Sequence, residues 1–187
     1  MKTTKKTGKL ITGPALLLAL SLPHALAAQI PDARPEDVAS PEAIVAAAYE
    51  SIIRAPGENH DWDRFRSLHL PGAVLIPNSE QSGGEFIVHT VDSFIESIDG
   101  WYAENAPIGS EADQGLDESP IHSVTNRYGD VVQVMSTYEK RLYDSDEVLD
   151  RGVNAMTLVF DGDRWWIVSI AWDEESGAGP IPPTYLP

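Results

Sequence analysis

The feature that most constrains the fold is a series of long apolar segments joined by short turns in the second half of the chain. These segments cover residues 121–128, 131–143, 151–160 and 165–172. Asp161-Gly162 stands between the last two, and an Asp-Gly pair flanked by alternating apolar residues is a strong β-hairpin signal. The pattern therefore predicts a meander of long antiparallel strands, which must bury at least one face against other elements.

Helix signals precede these strands. Residues 40–42, Ser-Pro-Glu, supply an N-cap, a proline at the first helical position and an acid in the first turn. Apolar residues then recur every three or four positions to about residue 54, which predicts an amphipathic helix. Asp61 is predicted to cap a second, short helix that ends at residues 71–72, and Thr90 to cap a third.

The middle of the chain is less regular. Short strands are predicted at 73–77 and 85–88, and a solvated loop at 103–119, which holds five acids and no base. With helices first and long strands last, the chain is predicted to be α+β, with its N-terminal helices on one face of a curved antiparallel sheet.

The N-terminus has the pattern of an export signal. Four lysines precede an apolar run that starts at Leu10, and Ala25-Leu26-Ala27 provides a small-x-small cleavage site. We predict a signal peptide at 1–27, an exported mature protein in the periplasm or outside the cell, and no membrane association after cleavage. Residues 28–40 are predicted to form an extended leader, 41–175 the domain, and 176–187 a Pro/Gly-rich tail.

Charge and cysteine content exclude several classes of function. The chain has 13 basic and 29 acidic side chains, which gives a net charge of −16. Loss of the first 27 residues would leave nine basic and 29 acidic side chains, and the net charge would become −20. Such a surface repels nucleic acid. The chain has no cysteine, which excludes disulfides, thiolate metal sites and a cysteine nucleophile. No metal and no cofactor are predicted.

Three stretches together resemble a known family. They are the opening helix, the run Asp-Trp-Asp-Arg-Phe at 61–65 that continues into Leu-His-Leu-Pro-Gly-Ala at 68–73, and the hairpin Phe-Asp-Gly-Asp-Arg-Trp-Trp-Ile-Val at 160–168. Over residues 40–175 the chain resembles the nuclear transport factor 2-like superfamily, in its SnoaL-like and ketosteroid-isomerase-like branch. It is most similar there to exported bacterial members.

The resemblance implies a cone-shaped, strongly bent sheet wrapped around the helices, with a pocket at the wide end and a homodimer formed through the sheet. Members of the superfamily include isomerases, dehydratases, epoxide hydrolases and cyclases, and others that bind ligands or proteins, so the fold does not decide the function. Relatives often have His directly before the proline at the exit of the second helix. This chain has Leu70 there and His69 one position earlier.

The last hairpin predicts which side chains face the pocket. With 161–162 as a two-residue turn, Asn154, Met156 and Ser169 share one face, and we predict that they bind the ligand. Tyr49 and Trp62 are predicted to join them from the helices, although helical core aromatics are the ordinary alternative. Trp166 and Trp172 are predicted on the opposite face, at a dimer interface. A β-bulge would exchange these faces.

Catalysis in this superfamily typically needs a buried carboxylate or histidine. The predicted catalytic residues are His122, Asp173 and His69, and the further candidates are His89 and Glu139. Each histidine has a structural alternative: His69 and His89 can hydrogen-bond to the backbone, and His122 can be a satisfied or half-exposed strand residue. Glu139 and Arg141 share a strand face and can form an ion pair.

These observations favour an exported single-domain protein that binds a small, mostly apolar molecule. The first alternative is a cofactor-independent isomerase, dehydratase or hydrolase with a His or carboxylate base. The second is a protein-interaction or dimeric assembly module that uses the open sheet face.

Overall fold

The computed structural model describes residues 30–78 and 83–187. The predicted signal peptide lies outside the described residues. Within them, no helix combines the length and the apolar character that crossing a membrane requires.

The helices begin where the sequence predicts. They are α1 Pro41–Ile52, α2 Trp62–Leu68, α3 Val91–Asn105 and the short α4 Glu175–Ala178. Side chains of Ser40 and Asp61 accept hydrogen bonds from backbone N–H groups of the first turns of α1 and α2, and Thr90 and Ser93 form a capping box at α3. Each cap satisfies N–H groups that have no partner inside the helix, so the three predicted starts are confirmed.

Six strands form one mixed sheet. The strands are β1 His69–Ile76, β2 His89–Thr90, β3 Asp117–Tyr128, β4 Val131–Arg141, β5 Val148–Phe160 and β6 Trp165–Glu174. Their order across the sheet is β2-β1-β6-β5-β4-β3, and β2 and β3 are its edges, so the sheet is open. The predicted α+β class is confirmed. The sheet is not wholly antiparallel, because β1 runs parallel to β6.

Three predicted boundaries differ from the structure. Helix α2 ends at Leu68, and residues 71–72 lie inside β1, at a register shift towards β6 between His69 and Val74. Proline has no N–H to donate to the ladder, so within a sheet it is tolerated at an irregularity such as this one, where the regular hydrogen bonds are interrupted. Residues 85–88 are not a strand, and the predicted loop at 103–119 is helix at its start and β3 from Asp117 onward.

A β-bulge in the last hairpin decides which residues face the helices. Leu158 pairs with Ile167, whereas Thr157 pairs with Ser169, so Val168 is an extra residue in β6. Beyond the bulge, the faces of β6 exchange relative to β5. The face predicted for Ser169 is therefore wrong: this residue lies with Thr157 on the outer side.

The core lies between the helices and the inner face of the sheet. Ile44 of α1, Leu68 of α2, and Val132, Leu158 and Ile167 of the sheet are completely buried. Residues 35–38 and the C-terminal tail pack onto this body. The predicted extended leader contains a 3₁₀ turn at Pro35–Val38, and the Thr137 hydroxyl on β4 donates to the Tyr185 carbonyl of the tail at 2.5 Å.

Candidate functional site

A cavity of about 910 Å³ lies between the inner face of the sheet and helices α1 and α3. Strands β4, β5 and β6 supply its floor, and the segment 112–118 closes one side. Most of its lining is apolar or aromatic. A concave apolar space of this size with a few polar groups is the usual form of a small-molecule site.

Aromatic side chains build one wall of the cavity. The His60 ring stacks on Trp62, with 4.4 Å between ring centroids, and lies 5.4 Å from Tyr102. Phe94 on α3 meets Trp172 on β6 edge to face at 5.7 Å. These rings offer flat apolar surfaces to a ligand and lose little conformational freedom when they bind one.

Charged side chains gather at the other end of the cavity. Glu118 on β3 pairs in register with Lys140 on β4, and both line the cavity together with Glu174 on β6. Lys140 Nζ donates to Glu174 Oε1 at 2.5 Å, and the Tyr138 hydroxyl donates to the same oxygen at 3.0 Å. The polar end is thus held by strands β3, β4 and β6 of one sheet rather than by loops.

A second hydrogen-bonded arm extends from this end towards α1. The Asn154 amide donates to the Tyr49 hydroxyl at 2.9 Å, and that hydroxyl donates to Ser136 Oγ at 2.9 Å. Asn154 also hydrogen-bonds to the Glu118 carboxylate. Because each member is held by a neighbour, the arm presents Asn154 and Tyr49 to the cavity in one fixed arrangement.

Burial changes the proton affinity of groups in the lining. It raises the pKa of Glu118 to about 7, and the Lys140 ammonium only partly opposes this shift. Burial, with the positive charge of Arg54 nearby, lowers the pKa of His60 to about 4. Burial likewise raises the pKa of Tyr49. At neutral pH, His60 and Tyr49 are therefore uncharged, and Glu118 is divided between its two protonation states.

Four of the five residues predicted to bind the ligand line this cavity: Tyr49, Trp62, Asn154 and Met156. Ser169 does not, because the bulge places it on the outer side of the sheet. The same bulge turns Trp172 inward against Phe94, so the outer face predicted for it is wrong. Trp166 does lie on the outer side, where its indole N–H donates to Asp161 at 2.7 Å. The homodimer itself stays a prediction.

The predicted catalytic residues are not brought together. Among the described residues, the cavity lining includes none of His69, His122 and Asp173. His69 is fully buried, with Nδ1 at 2.7 Å from the Phe65 carbonyl, and burial lowers its pKa to about 4. Asp173 instead accepts a hydrogen bond from the Asn78 amide at 2.9 Å.

The two further candidates differ in position. His89 lines the cavity from the short strand β2. Glu139 has an ion-pairing role, because it binds Arg141 and lies 3.0 Å from Nε of Arg151.

Sequence reasoning missed the charged end of the cavity altogether. Glu118 falls in an acid-rich stretch that resembles a solvated loop, but β3 already begins at Asp117. One feature of the sequence could have indicated this charged end. Lys140 is the single lysine after residue 9, and it continues the alternation of inward residues that runs through Ser136 and Tyr138.

No group of three or more His, Cys, Asp or Glu side chains in residues 30–78 and 83–187 is arranged to hold a metal ion.

Comparisons with known proteins give likenesses in structure. No family model matches the chain, and no curated protein matches it. An NTF-2-like protein of unknown function from Silicibacter pomeroyi DSS-3 is similar at 17% identity, over 73% of this chain and 93% of that one, with a TM-score of 0.45. An NTF2-like protein of unknown function from Shewanella baltica OS155 is similar at 9% identity, over 70% of this chain and 84% of that one, with a TM-score of 0.41.

A Bdellovibrio bacteriovorus protein is similar at 14% identity and a TM-score of 0.46, over 70% of this chain but only 38% of that one. Two of these three structures carry the superfamily name that the sequence resembles, and none is named for the SnoaL-like branch. At these identities and TM-scores the likenesses carry no argument about function.

Proposed function

We propose that this protein binds a small, largely apolar molecule in the cavity between α1, α3 and the sheet. The observation that carries the proposal is the cavity itself: about 910 Å³, walled by aromatic and aliphatic side chains and closed at one end by fixed polar groups. Monomeric proteins normally fill such a space with their own side chains, and an apolar space of this size stabilises nothing unless it is occupied.

The test uses N-phenyl-1-naphthylamine, a neutral dye that fluoresces when it leaves water. We expect saturable binding with one site per chain. Met156, which is buried on the inner face of β5, is changed to Trp to fill the cavity, and this variant should weaken dye binding at least about tenfold by occupying the dye's volume. The measurement is a fluorescence titration.

Met135→Trp is the matched control, because Met135 lies on β4 opposite Ala155 and faces the outer side of the sheet. It should bind the dye as the unmodified protein does. Equal loss in both variants, or no saturable binding at all, would contradict the proposal.

One observation favours a second function, proton transfer to or from the bound molecule. Glu118 is a cavity-lining carboxylate whose pKa is raised by burial to about 7, and a base with a pKa near the working pH is the most effective. The protein would then be a cofactor-independent enzyme in which Glu118 takes a proton from carbon or oxygen.

5-Nitrobenzisoxazole tests this second function, because a base removes its ring proton while its N–O bond breaks to give a coloured phenolate. We expect turnover that rises as pH increases through about 7, since only the ionised form of Glu118 is a base. Glu118→Gln should lower the rate about a hundredfold. His89→Gln removes another titratable side chain of the lining and should retain the rate; the reverse result would rule out Glu118 as the base.

A further inference from the structure

The charges that face the cavity do not balance. In the part of the chain that the structure describes, the lining holds two carboxylates, Glu118 and Glu174, but one ammonium, Lys140. The histidine of the aromatic wall, His60, adds no charge at neutral pH because burial lowers its pKa to about 4. When Glu118 is ionised, the charged end formed by Glu118, Glu174 and Lys140 therefore carries one negative charge in excess.

Lys140 is already committed to one of the two carboxylates. Its ammonium donates a hydrogen bond to Glu174 at 2.5 Å, and Glu174 also accepts a hydrogen bond from the Tyr138 hydroxyl. Glu118 takes part in none of the ion pairs formed within residues 30–78 and 83–187, and Asn154 is its hydrogen-bonding neighbour. A partly buried carboxylate with no cation within ion-pairing distance is stabilised when one is supplied.

The surroundings of the cavity also favour a positive charge. Behind the aromatic wall, Arg54 pairs with Asp113 at 2.7 Å, so this buried cation is neutralised by its own partner. Aromatic faces such as that of Trp62 present negative charge density to the space they enclose. The whole chain has more than twice as many acids as bases, which attracts cations towards the protein.

We propose that the molecule bound in the cavity is a monocationic amphiphile, whose apolar or aromatic body lies against the aromatic wall and whose protonated amine pairs with Glu118. This inference rests on the proposed function and adds the chemical class of the ligand. The ammonium replaces the missing partner of Glu118, while the Lys140–Glu174 pair stays as it is.

Three probes with the same naphthalene ring separate the effect of charge from that of shape. They are the cation 1-naphthylmethylamine, the neutral 1-naphthalenemethanol and the anion of 1-naphthaleneacetic acid. At pH 8, where Glu118 is ionised, we expect the amine to bind about tenfold more tightly than the alcohol, as one additional charged hydrogen bond allows. The acetate should bind most weakly. Isothermal titration calorimetry on the full mature chain gives the three dissociation constants.

Glu118→Gln should remove the preference by weakening the amine about tenfold, while the alcohol changes by less than about twofold. Asp130→Asn is the control for net charge, because it removes one exposed carboxylate at the β3–β4 turn, at the opposite end of these strands, and should leave the preference intact. An alcohol or acetate that binds as tightly as the amine would overturn the inference while leaving the proposed function standing. Failure of all three probes and of the neutral dye would overturn both.

A pH series gives a second readout. The charged and titratable groups around Glu118 are Lys140 and Tyr138 on β4, Asp150 opposite Lys140 on β5, Glu174 on β6 and Tyr49 on α1. The advantage of the amine over the alcohol should shrink as the pH falls from 8 to 6, because Glu118 takes up a proton around pH 7. An advantage that is constant over this range would assign the preference to another group.

Discussion

Gly152→Ala should destabilise the protein by about 3 kcal/mol, the upper part of the range for an overpacked core. A Cβ added at Gly152 would stand 2.4 Å from both Cζ and the hydroxyl oxygen of Tyr138 and 2.7 Å from the Asp173 carbonyl oxygen. Neither neighbour can move cheaply, because Tyr138 is buried and the carbonyl belongs to strand β6. Urea unfolding followed by fluorescence measures the loss.

Gly100→Ala is the matched control. Gly100 lies in α3, and an added Cβ there meets no heavy atom within 4 Å. The same substitution should therefore stabilise the protein by up to about 1 kcal/mol, through helix propensity alone.

A double-mutant cycle locates the clash. In a Tyr138→Ala background, Gly152→Ala should cost clearly less than in the unmodified protein, and the remaining cost should come from the contact with the Asp173 carbonyl. If Gly152→Ala costs the same in both backgrounds, the Tyr138 ring does not occupy the space above Gly152. The point bears on function, because that position brings the Tyr138 hydroxyl to Glu174 at the polar end of the cavity.

Arg54→Met should cost about 3 kcal/mol, the usual effect of removing one member of a buried ion pair. Both side chains of the Arg54–Asp113 pair are fully buried, and they join the end of α1 to the loop after α3. The Arg54 guanidinium also lies 4.1 Å from the centroid of Tyr102, which lines the cavity. The variant should therefore lose dye affinity as well as stability.

Asp113→Asn should be more destabilising than Arg54→Met. Asp113 also accepts hydrogen bonds from the backbone N–H groups of Gly57 and Gly109, so it keeps partners when Arg54 is removed. Without the Asp113 carboxylate, Arg54 keeps only the Glu58 carbonyl, at 3.3 Å, among its hydrogen-bond acceptors in the described residues, while its Nε and Nη2 already lack partners. The double variant should be more stable than Asp113→Asn alone, because no buried charge is left unpaired.

The exposed pair between Arg34 and Asp61 provides the control, with a separation of 3.2 Å and about half of each side chain in solvent. Arg34→Met should cost less than about 1 kcal/mol. A loss for Arg54→Met no larger than this would show that the buried pair does not hold the loop.

Low pH should weaken the same buried pair, Arg54–Asp113, by protonating Asp113. Backbone N–H groups, chiefly that of Gly109, hold the pKa of Asp113 well below its usual value of 3.8. A carboxyl whose folded pKa is depressed contributes its full stability above the pKa of the unfolded chain and loses it as pH falls. The contribution of Asp113 is therefore complete above about pH 4 and declines below it.

Local signals in the sequence predicted the elements that local interactions create. Ser40, Asp61 and Thr90 cap helices through contacts within one turn. The predicted hairpin forms, but Phe160 pairs with Trp165, so its loop has four residues, 161–164, and not two. Strand alternation predicted the inner face for Asn154 and Met156, which line the cavity. The same local reasoning failed for Ser169, because a single extra residue in β6 reverses every side chain beyond it.

The sequence by itself determined an α+β chain with capped helices, a strand meander and a strong excess of acid, because each of these depends on neighbours in the chain or on composition alone. Only the tertiary structure decided where the chemistry lies. Glu118, Lys140 and Glu174 lie on three different strands and are more than 20 residues apart in the chain, and they meet because strand pairing places them at one end of the sheet. No local pattern encodes that meeting, since the register of distant strands and a bulge within one of them arise from packing of the whole domain.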